Sequence, residues 1–421
     1  MDNGLLLARS SPATERIEPG GITALLDRLD EQSVECHSLM VVRHGRVVAE
    51  GWWAPFSASR PHLLYSVTKS FTGVAAGIAI GDGLLSLDTR LGDVLPSHDS
   101  DLTVEHLLTM TAGHAGDSLA EAWTLEPHDL VKGFLRVPFS YPAGTRHAYD
   151  NATSFVLHLT TEAVAAFGEL LLRDGRWRDR QLIPRDWLAP ATTPRIETLQ
   201  FEDGSRTADH LQGYGYQLWM SRHGYRADGA FGQFCLVIPS HDLVVAVTAA
   251  TARGQAVMDA VWDCLLPAVG AAASDDPSLA ARLQRLSLPL VAGELVAGEP
   301  DPCRSAHASI PSWGTSVGLR PRPGGWSLRL ENLPGADAVI DIEIGHRAWR
   351  ESSPLGRPVV AAGAWQHDIF VADLYVITGP HRLRLTIDGP VATATWNLVP
   401  LTGPSLLNQL RSPLMTRPDV S

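Results

Sequence analysis

Two neighbouring apolar runs near the start of the chain predict a β-hairpin. Residues 38–43 and 46–51 are rich in β-forming side chains, and only His44-Gly45 separates them. A two-residue connection of this kind is typical of a tight hairpin turn. Two later runs, residues 234–238 and 243–249, have the same character and flank a turn-rich tetrapeptide. We therefore expect an antiparallel sheet that begins with the first pair and is completed by the second.

Helices are expected where apolar stretches follow capping residues. Residues 66–80 are mostly small and apolar, and they end at a Gly-Asp-Gly sequence. A helix formed by them would be apolar around nearly its whole circumference, which predicts that it is buried inside the fold. A shorter helix is expected at residues 104–110, after a threonine, and Thr160 caps a longer one at residues 161–173. A further helix near residues 255–266 completes this part of the chain.

The pattern becomes all-β in the C-terminal part of the chain. Residues 338–344 alternate isoleucine with acidic side chains, and residues 381–387 alternate leucine or isoleucine with polar ones. Such alternation is typical of strands with one buried face. We expect three parts, namely an α/β domain at residues 1–270, a linker rich in Pro and Gly at 271–301, and a β-sandwich or small barrel at 302–421.

Composition excludes several functional classes. The 421 residues are 45% hydrophobic and 19% charged, which suits a globular protein, and the net charge of -12 offers no basic surface to nucleic acid or an anionic membrane. No basic region precedes the short apolar run at residues 5–8, so neither a signal peptide nor a membrane span is expected, and the cytoplasm is the expected location. The four cysteines and sixteen histidines lack the spacing of disulfide or zinc sites, so no metal or cofactor is expected.

Lysine is rare in this chain, and one of its two lysines is a candidate catalytic base. Of the 34 basic residues only Lys69 and Lys132 are lysines. Arginine keeps its proton in proteins, whereas a desolvated lysine can lose its proton and act as a base. Ser66 lies three residues before Lys69, on the same face of the predicted buried helix and at its positive N-terminal end, which favours charge on the serine oxygen. The alternative, a capped helix start followed by a solvated lysine, fits poorly with so apolar a helix.

Two further segments carry polar groups suited to catalysis. Tyr149 and Asn151 are two residues apart and would point the same way from an extended or turning segment. By themselves, they could equally be a buried tyrosine and a turn asparagine. Residues 227–230, Ala-Asp-Gly-Ala, lead into a predicted strand, where Gly229 allows a substrate to approach the sheet edge closely.

Together and in this order, these segments resemble the serine β-lactamase and penicillin-binding-protein superfamily, most closely its class C, esterase and D-peptidase branch. The stretches HLLYSVTKSFTGVAAGIAIGDGLLSLD, LTVEHLLTMTAGH, YDN, FGELLLRDGRW and ADGAFGQF carry the resemblance, over about residues 38–268. The family fold is an α/β (α+β) sandwich, an antiparallel sheet covered by helices. The resemblance implies that Ser66 attacks the substrate, Lys69 accepts its proton and Tyr149 relays a proton to the leaving group.

The resemblance also implies roles in substrate binding. Asn151 would orient the substrate or Lys69, and the backbone N–H groups of Ser66 and Ala230, next to Gly229, would bind the oxyanion. The expected activity is a serine hydrolase acting on a small-molecule ester, amide or β-lactam without a cofactor. An acyltransferase on the same fold and a non-catalytic binding protein are the alternatives.

Two departures from the family pattern modify these expectations. Ala227-Asp228-Gly229 replaces the usual Lys-Thr-Gly or His-x-Gly, so the group that helps to bind a substrate carboxylate is missing. Only residues 152–159 connect the Tyr-x-Asn motif to the next helix, where family members have a longer segment that forms one wall of the pocket. We therefore expect an open, permissive site of reduced activity, and self-association through the uncovered surface.

A second serine motif, Gly-x-Ser-x-Gly, occurs at residues 314–318. In α/β-hydrolases this motif is followed at once by a helix. Here two prolines, Pro321 and Pro323, follow within five residues and prevent a helix from continuing, so we do not expect Ser316 to be a nucleophile.

Overall fold

The computed structural model describes residues 5–95, 100–126, 128–153, 156–200, 206–295, 305–334 and 339–410. The chain divides into two compact units. The first comprises Met1–Gly51, Leu63–Ala249 and Arg253–Gln284, and the second comprises Trp52–His62, Ala250–Ala252 and Arg285–Ser421. The domain boundaries expected at residues 270 and 302 remain predictions.

A seven-stranded sheet forms the centre of the first unit, in the order β1-β3-β2-β11-β10-β9-β8. The strands up to this point of the chain are β1 (Ala8–Arg9), β2 (Glu35–Arg43), β3 (Arg46–Trp52), β4 (His62–Leu63), β5 (His158–Leu159), β6 (Arg176–Trp177), β7 (Arg180–Gln181), β8 (Trp219–Ser221), β9 (Gly224–Gly229), β10 (Gln233–Ile238) and β11 (Leu243–Ala250). Both expected strand pairs are present. His44 and Gly45 have φ values of 49° and 72°, as the hairpin turn between β2 and β3 requires.

Helices cover this sheet because its central strands are apolar on both faces. Every residue of β10 and β11 is buried. The helices are α1 (Pro19–Glu31), α2 (Val67–Gly81), α3 (Leu91–Val94), α4 (Val104–Leu108), α5 (Leu119–Leu125), α6 (Leu130–Arg136), α7 (Thr161–Leu172), α8 (Arg185–Ala191), α9 (Gly254–Ala260) and α10 (Pro277–Gln284). α2 packs on β9 and β10, and α7 packs on β2 and β10. The expected α/β sandwich with an antiparallel sheet is therefore confirmed.

Two helix ends differ informatively from the sequence prediction. α2 begins at Val67, so Ser66 occupies the cap position, yet its side chain makes no capping hydrogen bond. The helix expected at residues 255–266 is α-helical only to Ala260, then widens into a π-helical turn at Val261–Leu265 and ends in a short 3-10 turn. Pro267 explains this change, because its ring cannot fit against the preceding helical turn and it has no N–H to donate.

The second unit is all-β, as expected, and its sheet closes into a barrel. Its strands are β12 (Ala306–Ile310), β13 (Thr315–Arg322), β14 (Gly325–Glu331), β15 (Ile340–Gly345), β16 (Arg350–Ser352), β17 (Val359–Gln366), β18 (Ile369–Val376), β19 (Arg382–Asp388) and β20 (Val391–Trp396), followed by helix α11 (Leu406–Leu410). The order is β15-β14-β13-β12-β20-β19-β18-β17-β16, and an additional parallel pairing of β15 with β17 closes the ring.

The barrel core comes from the alternation seen in the sequence. Ile340, Ile342 and Ile344 are at most 1% exposed and pack in the core, whereas Asp341 faces outward. The strand predicted at residues 338–344 begins two residues later in the structure, and Ala338 itself lies outside the described residues. Among the helices of the described ranges, none has the length and apolar character needed to cross a membrane.

Candidate active site

Ser66 and Lys69 meet at the N-terminal end of α2. The Lys69 Nζ donates a hydrogen bond to the Ser66 Oγ at 3.2 Å. Lys69 is only 3% exposed, and burial lowers the pKa of its amine to about 8, although the negative charges of Asp117 and Asp150 act in the opposite direction. A substantial share of Lys69 is therefore neutral in mildly basic solution, in contact with the hydroxyl whose proton it would accept.

Asn151 is the second partner of Lys69, and Asp117 fixes its orientation. The Lys69 Nζ donates to the Asn151 Oδ1 at 2.9 Å. Asp117 accepts hydrogen bonds from the backbone N–H of Asn151 at 3.0 Å and from its Nδ2 at 2.7 Å. Because a carboxylate only accepts hydrogen bonds, the amide nitrogen must face Asp117 and the amide oxygen must face the lysine. No local pattern marks Asp117, which lies 34 residues from Asn151.

Tyr149 completes the group around Ser66. The Ser66 side chain interacts with its hydroxyl, and its ring stacks on Trp219 with centroids 5.7 Å apart. The Lys69 Nζ lies 5.0 Å from the centroid of the Tyr149 ring. Burial raises the pKa of the phenol well above its ordinary value, the interaction with the Ser66 side chain lowers it, and the charges of two aspartates add to the increase. Tyr149 is therefore protonated at neutral pH and suited to donate a proton.

Asp150 anchors the segment that carries Tyr149 and Asn151. Its buried carboxylate accepts hydrogen bonds from the Ser118 Oγ at 2.7 Å, the His114 Nδ1 at 3.0 Å and the Ala152 N–H at 2.9 Å. Burial alone would raise the pKa of Asp150, but these hydrogen bonds outweigh it and lower the pKa. The ionised carboxylate thus fixes the backbone between the two catalytic candidates.

The end of β9 lies against the start of α2. A Cβ atom on Gly229 would come within 2.3 Å of the Leu64 carbonyl oxygen and 3.2 Å of the Val67 nitrogen, so only glycine fits. Tyr65 and Phe231, which flank Ser66 and Ala230, have φ values of 46° and 66°, and their rings pack edge to face at 5.2 Å. Left-handed backbone at such residues costs energy and occurs often at functional sites.

In the third motif, Ala227 stands where the family pattern has lysine or histidine, and Asp228 is the charged residue that follows it. Ala227 is 1% exposed, so its side chain belongs to the core. The Asp228 Oδ2 accepts a hydrogen bond from the Arg226 Nε at 2.8 Å and lies 3.2 Å from the His210 Nε2. Neither Arg226 nor His210 was identified from the sequence, because nothing local marks an arginine or a histidine that pairs with this aspartate.

Ser316 has none of these features. It lies exposed on β13, in a groove of about 410 Å³ on the second unit, and the Asn332 Nδ2 is 3.2 Å from its Oγ. A strand follows it, so the nucleophile elbow is excluded. Over the ranges that the structure describes, no group of three or more His, Cys, Asp or Glu side chains is arranged to hold a metal ion.

Comparison with known proteins identifies one matching family model and several solved structures of similar fold. The family model described as Beta-lactamase matches residues 22–174, a range that contains Ser66, Lys69, Tyr149 and Asn151. No curated protein sequence matches the chain. Among solved structures, SurE is 18% identical, with a TM-score of 0.50, over 91% of this chain and 99% of that one. This likeness shows the fold alone.

Two other solved structures are similar over little more than half of the chain. A putative 6-aminohexanoate-dimer hydrolase from Bacillus anthracis is 16% identical over 57% of this chain and 80% of its own, with a TM-score of 0.46. A β-lactamase from Mycobacterium bovis is 20% identical over 57% of this chain and 98% of its own, with a TM-score of 0.42.

Proposed function

The chain belongs to the serine β-lactamase and penicillin-binding-protein superfamily, and from this we propose that it is a serine hydrolase that acts through an acyl-enzyme on Ser66. The substrate would be a small-molecule ester, amide or β-lactam. One observation carries the proposal, namely that a buried lysine amine of lowered pKa lies 3.2 Å from the Ser66 hydroxyl. A solvated lysine would be charged and could not accept the proton.

Acylation uses the three groups in sequence. Neutral Lys69 accepts the proton of Ser66 while the serine oxygen forms a bond to the substrate carbonyl carbon. The bond to the leaving group then breaks, and the leaving group takes a proton from the Tyr149 phenol, which recovers one from Lys69. Water next attacks the acyl carbonyl, the serine oxygen leaves with a proton, and the free enzyme is restored.

Backbone groups would stabilise the oxyanion. The N–H of Ser66 lies at the N-terminal end of the 15-residue helix α2, where the helix dipole favours negative charge. Ala230 follows Gly229, whose Cα approaches the same helix end closely enough to exclude a side chain. These two N–H groups are the pair that the family resemblance implies, and the close approach of β9 to α2 supports their use.

A fluorophosphonate probe tests this proposal. Intact-mass measurement and peptide mapping are expected to show one adduct, on Ser66, in the wild-type protein. S66A should show no adduct, and the matched serine variant S316A should be labelled as fast as wild type. Labelling that survives in S66A, or a wild-type protein that is not labelled at all, would show that the function is different.

A further inference from the structure

Asp228 is the last side chain of β9 before Gly229, the residue that abuts the start of α2. Its carboxylate is ionised, since Arg226 and His210 together outweigh the effect of burial and lower its pKa. Its Oδ2 receives the contacts from both partners. Within the part of the chain that the structure describes, the Oδ1 has no hydrogen-bond partner, and the side chain is 14% exposed. One acceptor atom of Asp228 is therefore still available.

Arg226 holds Asp228 from inside the fold. The arginine is fully buried, and its Nη1 donates to the carbonyl oxygens of Met220 at 2.6 Å and Asp209 at 3.1 Å and to the Ser221 Oγ at 2.8 Å. These contacts leave the guanidinium no freedom to turn toward a substrate. Its positive charge is already matched by Asp228, so it is not available to bind a carboxylate.

His210 holds the carboxylate from the exposed side. It lies in the short turn Ala208–Leu211, its Nδ1 is 2.8 Å from the Thr207 Oγ1, and its ring packs edge to face on Trp219 at 4.7 Å. With the Thr207 hydroxyl donating to Nδ1, the protonated Nε2 faces the Asp228 Oδ2 at 3.2 Å. The carboxylate is thus presented in a fixed orientation.

This group is close to the reacting residues. Trp219, on which His210 packs, is also the ring on which Tyr149 stacks at 5.7 Å. The negative charge of Asp228 raises the pKa of the Tyr149 phenol, and the Ser66 side chain interacts with the same phenol. A substrate acylating Ser66 and lying along the end of β9 would therefore meet Asp228.

We propose that Asp228, oriented by Arg226 and His210, is a specificity-determining residue that favours substrates with a neutral N–H or O–H donor along β9 and rejects substrates with a carboxylate there. This inference rests on the proposed hydrolase function. The Oδ1 of Asp228 accepts a hydrogen bond from an amide or hydroxyl group of the substrate. A second carboxylate would instead meet a like charge at short range, and the positive charge of Arg226 is already paired with Asp228.

Three 4-nitrophenyl esters of equal acyl chain length test this selectivity: the hexanoate, the N-acetyl-β-alaninate, which has an amide N–H, and the monoester of adipic acid, which ends in a carboxylate. After subtraction of spontaneous hydrolysis, wild-type kcat/KM should be largest for the amide and at least about 10-fold smaller for the adipate than for the hexanoate. In D228N the adipate-to-hexanoate ratio should rise about 10-fold, whereas D82N, a matched charge change at the far end of α2, should leave the ratio unchanged.

The ester comparison can overturn the role of Asp228 in two ways. A wild-type protein that hydrolyses the adipate as well as the hexanoate would overturn the proposal even if D228N fails to fold, and so would a ratio that D228N does not change. In either case, fluorophosphonate labelling of Ser66 would show that the hydrolase function itself stands. Absence of both labelling and ester hydrolysis would overturn the proposed function and this inference with it.

Discussion

Asp117 and Asn151 are joined by two hydrogen bonds, one from the backbone N–H of Asn151 and one from its side-chain amide. These two bonds turn the amide oxygen of Asn151 toward Lys69, whose Nζ it contacts. The same Nζ lies 3.2 Å from the Ser66 Oγ, so Asp117 helps to position the lysine next to the serine hydroxyl. Asp117 is itself exposed, so it contributes little to packing. Its contacts therefore serve to position the residues around the candidate nucleophile.

D117A should slow acylation about 10-fold at high pH, since losing a hydrogen bond worth about 1.4 kcal/mol lets the Asn151 amide turn away from the lysine. Removing the negative charge also lowers the pKa of Lys69, because Asp117 raises it. The acid limb of the kcat/KM profile should therefore move below pH 8. The exposed control D82N should change neither quantity. A lower rate with an unshifted profile would mean that Asp117 acts only on structure.

K69R should be nearly as inactive as K69M, because the property lost in both is the ability to release a proton. In the wild-type protein kcat/KM should rise with pH to a plateau with a midpoint near 8, as the buried amine becomes neutral. Steady-state kinetics between pH 6 and pH 10 provide the measurement. If the arginine variant kept most of the acylation rate, Lys69 would be an electrostatic group and not the base.

G229A should lose most activity and about 1–3 kcal/mol of stability, because its new methyl group would overlap the Leu64 carbonyl oxygen and push the start of α2 away from β9. G116A is the matched control, since a Cβ there meets no atom within 4 Å. Thermal unfolding and ester hydrolysis are measured for both variants. Wild-type behaviour of G229A would show that β9 does not define the position of Ser66.

D209N should be destabilised by about 3 kcal/mol at pH 7, because the buried carboxylate accepts hydrogen bonds from Arg222, Gln255 and Trp262. Burial alone would raise the pKa of Asp209, but these donors lower it from 3.8 to about 2. The stabilisation is therefore present above pH 3.8 and is lost as the pH falls toward 2.

Chemical denaturation of D209N at several pH values checks this expectation, with D259N as the control. Asp259 contacts the same arginine but is 42% exposed, so its loss should cost less than about 1 kcal/mol. A stability difference between wild type and D209N that stays constant down to pH 2 would contradict the assigned role of the Asp209 charge.

The short connection after Asn151 should make the site permissive. Its residue Leu157 donates from its N–H to the Thr68 Oγ1 at 2.9 Å, while Val156 is 53% exposed. We expect faster turnover of a short-chain nitrophenyl ester than of a cephalosporin, together with self-association in sedimentation velocity. A monomeric protein with fast cephalosporin turnover would refute this expectation.

Several elements could be predicted because their signals are local. The hairpin depends on two turn residues, His44 and Gly45, and α2 depends on a run of small apolar residues. The spacing of Ser66 and Lys69 needs only helical geometry to bring the two side chains together. Period-two alternation likewise defined which residues of β15 and β19 are buried. Helix α1 was not predicted, although Ile22, Leu25, Leu26 and Leu29 form a buried helical stripe.

The sequence by itself thus predicted the candidate nucleophile and its lysine partner, since both depend on residues close together along the chain. Only the tertiary structure decided that Asp117 orients Asn151, that His210 and Arg226 hold Asp228, and that β15 pairs with β17 to make a barrel and not a sandwich. These relationships join side chains or strands that lie apart in the sequence. Packing of the whole chain sets their distances, and no local pattern records them.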